Sequence, residues 1–109
     1  MSIIKVISRR IIYKKDYSKT KFLLNQLYKE ASKKEGFLGA SSFVEQSSEF
    51  KNTCNYNTIW TISDWASHKN WEDWFKDHKR KDYIYEHNRH VVKENHSITY
   101  RLKQNTFLL

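Results

Sequence analysis

An α+β fold in the order β-α-β-β-α-β, the ferredoxin-like arrangement, is predicted by three observations. Residues Ile3 to Tyr13 alternate with period two and carry apolar side chains in both phases, which marks a strand covered on both faces. Two later segments switch to helical spacing. Leu24, Leu27, Tyr28 and Ala31 stand at i, i+3, i+4 and i+7, and so do Trp71, Trp74, Phe75 and His78. Between and beyond these segments lie stretches rich in β-branched and aromatic residues, so each helix is flanked by strands.

In the first strand Ile3, Ile7 and Ile11 point one way, and Ile4, Val6 and Ile12 the other. One of Arg9 and Arg10 must therefore face inward. An inward arginine needs an anionic partner, either a carboxylate of the protein or a ligand. The stretch Asp16 to Ser18 offers capping residues for the first helix, and Gly36 suits the left-handed position that ends it. Phe37 to Gln46 reads as the second strand, Ser47 to Asn55 as a polar turn, and Asn55 to Trp65 as the third strand. Ser67 caps the second helix. A short further helix places Tyr83, Ile84 and His87 on one side, and His96 to Leu102 is the last strand. No repeat or linker interrupts this order, so residues 1–109 are expected to form one domain with a core over about residues 4–102.

All four tryptophans, Trp60, Trp65, Trp71 and Trp74, fall in this third strand and the helix after it. Parity sends Trp60 to the opposite face from Ile59 and Trp65. The stripe of Trp71, Trp74 and Phe75 must face the sheet, so most of the cluster forms a helix–sheet seam. On the same helix projection His78 falls beside these rings, where an aromatic surround tunes an imidazole toward neutrality and makes it a candidate acid or base.

The formal charge of +8 invites a nucleic-acid reading, but the cations are dispersed and mixed with Asp73, Asp77 and Asp82, as on a solvated helical surface. The third strand lacks the basic-Gly-aromatic signature of RNA-recognition modules, and the first strand has no aromatic residue before Tyr13. Specific nucleic-acid binding is not expected. Two glycines, Gly36 and Gly39, are too few for a phosphate-cradling loop. The histidines His68, His78, His87, His90 and His96 come without HExxH or paired cysteines, so no metal site is expected. The single cysteine, Cys54, fits a reducing compartment and sits in a polar turn. With no secretory signature and no run of about 18 apolar residues, a cytoplasmic protein with no membrane contact is expected.

Taken together, "KVISRRIIYKKDYSKTKFLLNQLYKEASKKEGFLGASSFVEQ" and "IWTISDWASHKNWEDWFKDHKRKDY" resemble the antibiotic biosynthesis monooxygenase family. Trp65, Ser67, Trp71 and Trp74 match its W-x-S-x-x-x-[WF]-x-x-W motif after the third strand. Gly36, Phe37, Leu38 and Gly39 match its turn into the second strand, with Glu35 where a proline is usual. The resemblance implies a dimeric α+β barrel, in which two four-stranded sheets pack face to face with the helices outside. It also implies a pocket between sheet and helices in each subunit. Some members oxidise electron-rich phenols with dioxygen and no cofactor, the deprotonated substrate supplying the electron. A haem-degrading branch uses a strand-one Asn, a helical Trp and a His ten residues on. Here Trp74 matches the Trp, but Ile84 occupies the His position and Ser8-Arg9-Arg10 offers no Asn, so haem degradation is not expected.

The resulting expectation is a homodimeric, monooxygenase-like pocket protein for a small apolar or aromatic molecule, acting as a cofactor-independent oxygenase. Trp60 and Trp74 would form its walls, Arg9 would contact substrate, and His78 would serve as the catalytic base or donor. The alternative is a non-catalytic dimeric binding module for a small apolar ligand.

Overall fold

The computed structural model describes residues 3–45, 56–91 and 98–103. Strand β1 (Ile4–Tyr13) leads through a single 3-10 turn (Lys14–Asp16) into helix α1 (Tyr17–Ala31). Strands β2 (Phe37–Val44) and β3 (Tyr56–Trp65) follow, then helices α2 (His68–Phe75) and α3 (His78–Asn88), and finally strand β4 (Ile98–Lys103). The strands form one antiparallel sheet in the order β2-β3-β1-β4. This is the ferredoxin-like α+β arrangement, with α1 and α3 packed on each other over one face. The polar turn Ser47 to Asn55, with Cys54, lies outside the described residues, as do Gln46 and His96.

Register assigns the faces. Ile4 lies opposite Trp65, Val6 opposite Ser63, Ser8 opposite Thr61 and Arg10 opposite Ile59, and directly opposed residues share a face. The buried positions of β1 are Ile4, Val6, Ser8, Arg10 and Ile12, which puts this phase under the helices. Ile7, Arg9 and Ile11 occupy the other, open face. At one end of the covered face Ile4, Val6, Ala31, Trp65, Trp71 and Trp74 form the core cluster, with Leu27 and Phe37 packed against it. The Trp65 and Trp74 rings stack with centroids 6.2 Å apart, and Phe37 meets Trp65 edge-on at 5.2 Å. Each such aromatic pair adds about 0.5–1.5 kcal/mol beyond the area it buries. The buried indole Nε1 of Trp65 donates to Ser63 Oγ at 3.0 Å, so the ring sits in the core with its polar atom satisfied.

Local chemistry explains the corners. Gly36 closes the turn after α1 with φ of 82°, and a Cβ there would collide with the Asn70 side chain. Its carbonyl accepts from Ala66 N at 2.7 Å, tying that turn to the end of β3. Ser67 caps α2 as the sequence predicts, its Oγ accepting from Asn70 N at 3.1 Å.

The helical stripes differ from the expected ones in two places. Asp16 makes no side-chain cap for α1, and its carboxylate instead reaches His90 Nδ1 at 3.3 Å. The Trp71 stripe stops after Trp74, because α2 ends at Phe75 and the chain restarts as α3 at His78. Asp77 causes the break. Its Oδ1 accepts from the backbone amides of Lys79 and Arg80, capping a new helix on a different axis. Phe75 is consequently exposed, and His78 loses the phase that the unbroken projection gave it.

Candidate functional site

The covered face is not filled throughout. Beyond the tryptophan cluster the sheet carries short side chains, Ala40 and Ser42 on β2, Thr61 and Ser63 on β3, and Ser8 on β1. These cannot reach the helices, so a cavity of about 340 Å³ opens above them. Leu24, Leu27 and Tyr28 of α1 form one wall, and Trp71 and Trp74 of α2 form another. On the α1 stripe Leu24 and Leu27 are half-buried and Tyr28 is 49% exposed, each bordering the cavity on one side.

Opposite the aromatic end the cavity is basic. Arg10 projects into it from β1 and Arg80 from α3, and no Asp, Glu, His or Cys is among the described residues that line it. The buried Arg10 guanidinium donates through Nη1 to Asn88 Oδ1 at 3.3 Å, and its Nε has no partner among the described residues. Burial, reinforced by the charge of Arg80, pushes its pKa down to about 10. Burial also lowers the pKa of Arg80. Both side chains remain cationic near neutral pH.

Next to this basic end lies a buried imidazole. His87 is fully buried, neither ring nitrogen finds a partner among the described residues, and burial, then the charges of Arg10 and His90, lowers its pKa from an ordinary 6.5 to about 3. It is neutral across the physiological range and does not line the cavity.

Of the residues singled out from sequence, Trp74 lies in the cavity wall, stacked on Trp65. Trp60 and Arg9 lie together on the open face, opposite each other in register. The Arg9 guanidinium stands 5.8 Å from the Trp60 ring, and Trp60 Nε1 donates to Glu45 Oε1 at 3.3 Å. Neither reaches the cavity. The His78 side chain is 90% exposed at the start of α3, 3.5 Å from Asp82 Oδ2, because the Asp77 cap turns it outward.

Arg10 and Arg80 occupy the cavity in their stead. Arg10 shares its phase with Ile4, Val6 and Ile12, but both phases of β1 are apolar, so parity alone left the inward arginine open. Arg80 precedes Ile84 by four residues and His87 by seven, so the apolar side of α3 extends back to it. The Ile84 side chain also lines the cavity. Among the described residues no group of three His, Cys, Asp or Glu could hold a metal ion, and no helix is long and apolar enough to cross a membrane.

A ferredoxin-like α+β domain with an aromatic-walled cavity between sheet and helices is the class that fold and site define. Within that class the chain has the fold of the antibiotic biosynthesis monooxygenases. It is similar to SnoaB, a cofactor-independent oxygenase from Streptomyces nogalater, at 9% identity and a TM-score of 0.78, covering 99% of this chain and 98% of that one. A protein described as an antibiotic biosynthesis monooxygenase aligns at 15% identity and TM-score 0.71, over 91% of this chain and 95% of its own. A conserved protein from Methanosarcina mazei Go1 aligns at 16% identity and TM-score 0.72, over 92% of both chains. No protein-family model matches the sequence, and no curated protein matches it.

Proposed function

We propose that the protein binds a small planar aromatic molecule in the cavity between sheet and helices and oxidises it with dioxygen, as a cofactor-independent monooxygenase. The observation that carries this reading is the cavity itself. About 340 Å³ lies within the range of small-ligand sites, which are mostly apolar with a few fixed polar groups. Trp71, Trp74 and Tyr28 offer flat walls to a flat guest, and the serine and threonine floor offers hydroxyls.

For a phenol with a free ring carbon the reaction balances as phenol plus dioxygen giving quinone plus water. The phenol loses four electrons, one oxygen atom enters the ring as the new carbonyl, and the other leaves as water. The electrons come from the substrate, so no reductant or cofactor is needed. The apolar walls would exclude water from the radical and peroxide stages. Trp60, Arg9 and His78 lie outside this cavity, so this reading gives them no part in holding the substrate.

The lack of a carboxylate, histidine or cysteine among the described lining residues favours one second reading, a binding module without turnover. Both readings include a homodimer, with a second copy of the chain covering the open face of the sheet. Support comes from the apolar side chains on that face, among them Phe43, Tyr100 and Leu102, which are half-exposed in the single chain.

Tryptophan fluorescence with a panel of naphthols and hydroxynaphthoquinones, run beside an oxygen electrode, tests the proposal. Quenching by a planar phenol that disappears in Trp74→Ala, with oxygen consumed in step with quinone formation, is the expected result. Quenching without oxygen uptake leaves the binding module. Absence of quenching across the panel removes the pocket reading.

A further inference from the structure

Among the described residues, the two cations in the cavity have no anion. Arg10 is only 7% exposed, and among the described residues its side chain finds one partner, the neutral amide oxygen of Asn88. Arg80 Nη1 donates to the Phe75 carbonyl at 3.3 Å, and its guanidinium lies 4.6 Å from the Phe75 ring. The carboxylates around them are engaged elsewhere. Asp77 pairs with Lys34 at 2.8 Å, Glu86 with Arg89 at 3.2 Å, Glu30 with Lys33 and Lys79, and Asp16 with His90.

Burying a guanidinium without a counter-charge is costly, and burying a second beside it adds repulsion. A hydrophobic residue would fill either position more cheaply. What the pair provides is two guanidinium groups lining one cavity, whose N–H donors suit a carboxylate or another oxyanion. The Nε of Arg10 is buried and finds no partner among the described residues. The cavity is polarised accordingly. Trp65 lies opposite Ile4 at one end of the strand pair, and Arg10 lies opposite Ile59, six positions along β1.

We propose that Arg10 and Arg80 form an anion subsite, and that the natural ligand is an aromatic acid whose carboxylate or ionised phenol oxygen is held there while its ring lies against the tryptophan end. The proposal rests on the pocket reading above and narrows it to acidic ligands. It also supplies what the lining lacks. With no carboxylate, histidine or cysteine among the described lining residues to remove a proton, the two cations would favour a ligand that is already ionised, and solvent would take the proton of a phenol.

Calorimetric titration with naphthalene-1-acetate and its neutral isostere naphthalene-1-acetamide, at fixed pH and ionic strength, tests the carboxylate arm. The acetate should bind at least tenfold more tightly than the amide. That preference should fall to within twofold in Arg10→Met and shrink in Arg80→Met, with the acetate losing much more affinity than the amide. Methionine matches the arginine stem and leaves no buried charge, and the Arg80 variant serves if the Arg10 variant does not fold. The phenol arm uses 4-nitrophenol, whose ionisation is visible in its absorbance. Bound dye should ionise at least one pH unit below free dye, and the shift should vanish in the same variants. A positive carboxylate arm or a positive phenol arm supports the subsite and identifies its oxygen source. Equal binding of acetate and amide with no shift of the dye overturns the subsite while leaving the pocket intact. If none of the probes binds, the pocket reading fails and the subsite with it.

Discussion

The two faces of the sheet are made from alternate residues of the same strands, yet they have become different surfaces. On the covered face Ile4, Val6, Trp65, Trp71 and Trp74 pack into a core, and beyond them short side chains leave a cavity with two arginines in it. On the open face the same strands present Ile7, Arg9, Ile11, Trp60 and Ile62, with Phe43, Tyr100 and Leu102 alongside. The polar atoms differ too. Arg9 lies over the Trp60 ring and remains half-buried, whereas Arg10, one residue on, loses its hydration and among the described residues finds only an amide. Neighbouring residues of one type thus have separate fates, decided by which face the helices cover. Apolar content cannot distinguish a core from an interface. The distinction lies in what each face packs against.

The largest expected effect contrasts two tryptophans. Trp65→Ala should remove the ring that both Trp74 and Phe37 contact and cost about 3–5 kcal/mol, as for other large-to-small changes of buried aromatics. Urea unfolding would read this directly, and a loss below about 1 kcal/mol would mean the stack is not the core. Trp60→Ala should barely alter monomer stability and should instead weaken self-association. Light scattering of the parent protein should give about twice its 13.3 kDa chain mass, and the variant should dissociate on dilution. A parent that stays at the single-chain mass at high concentration would break the comparison, since the open face would then be uncovered.

An intermediate effect is expected at acid pH. The folded-state pKa of His87 is lowered from an ordinary 6.5 to about 3, so between these values the unfolded chain binds the proton that the folded chain refuses. Stability therefore rises with pH in this window, falls as pH drops from about 6.5 toward 3, and owes no pH dependence to this group above the window. Thermal melts of the parent and of His87→Leu should show the acid loss reduced in the variant. Equal slopes would mean that other groups set the acid limit.

The smallest effect concerns His78. Its side chain pairs with Asp82, and both are exposed, so His78→Ala should leave stability within about 0.5 kcal/mol, as for exposed ion pairs generally. Ligand binding should be unchanged as well. A clear loss of ligand binding in this variant would return His78 to the site.

Local chemistry made much of this fold legible. Strand alternation, the Ser67 cap, the Gly36 turn and the tryptophan spacing each depend on a few adjacent residues, and the ferredoxin-like order follows from them. The site was legible only in outline. The helical projection that placed His78 beside the tryptophans assumed an unbroken helix, while Asp77 could be read equally as a surface acid or as a cap. The arginine question was posed by the sequence and left open by it, because β1 is apolar in both phases.

What the sequence determined by itself is therefore the set of elements, their order, and the apolar character of both phases of β1. These are short-range properties, written in periodicity and in capping residues. Tertiary structure alone decided which phase of β1 lies under the helices, and that Arg10 and Arg80 from distant segments share one cavity. The physical reason is that a strand's two phases are equivalent until a helix packs on one of them. Cavities and unpaired charges arise from that packing, where the lengths of side chains from several elements meet in one volume.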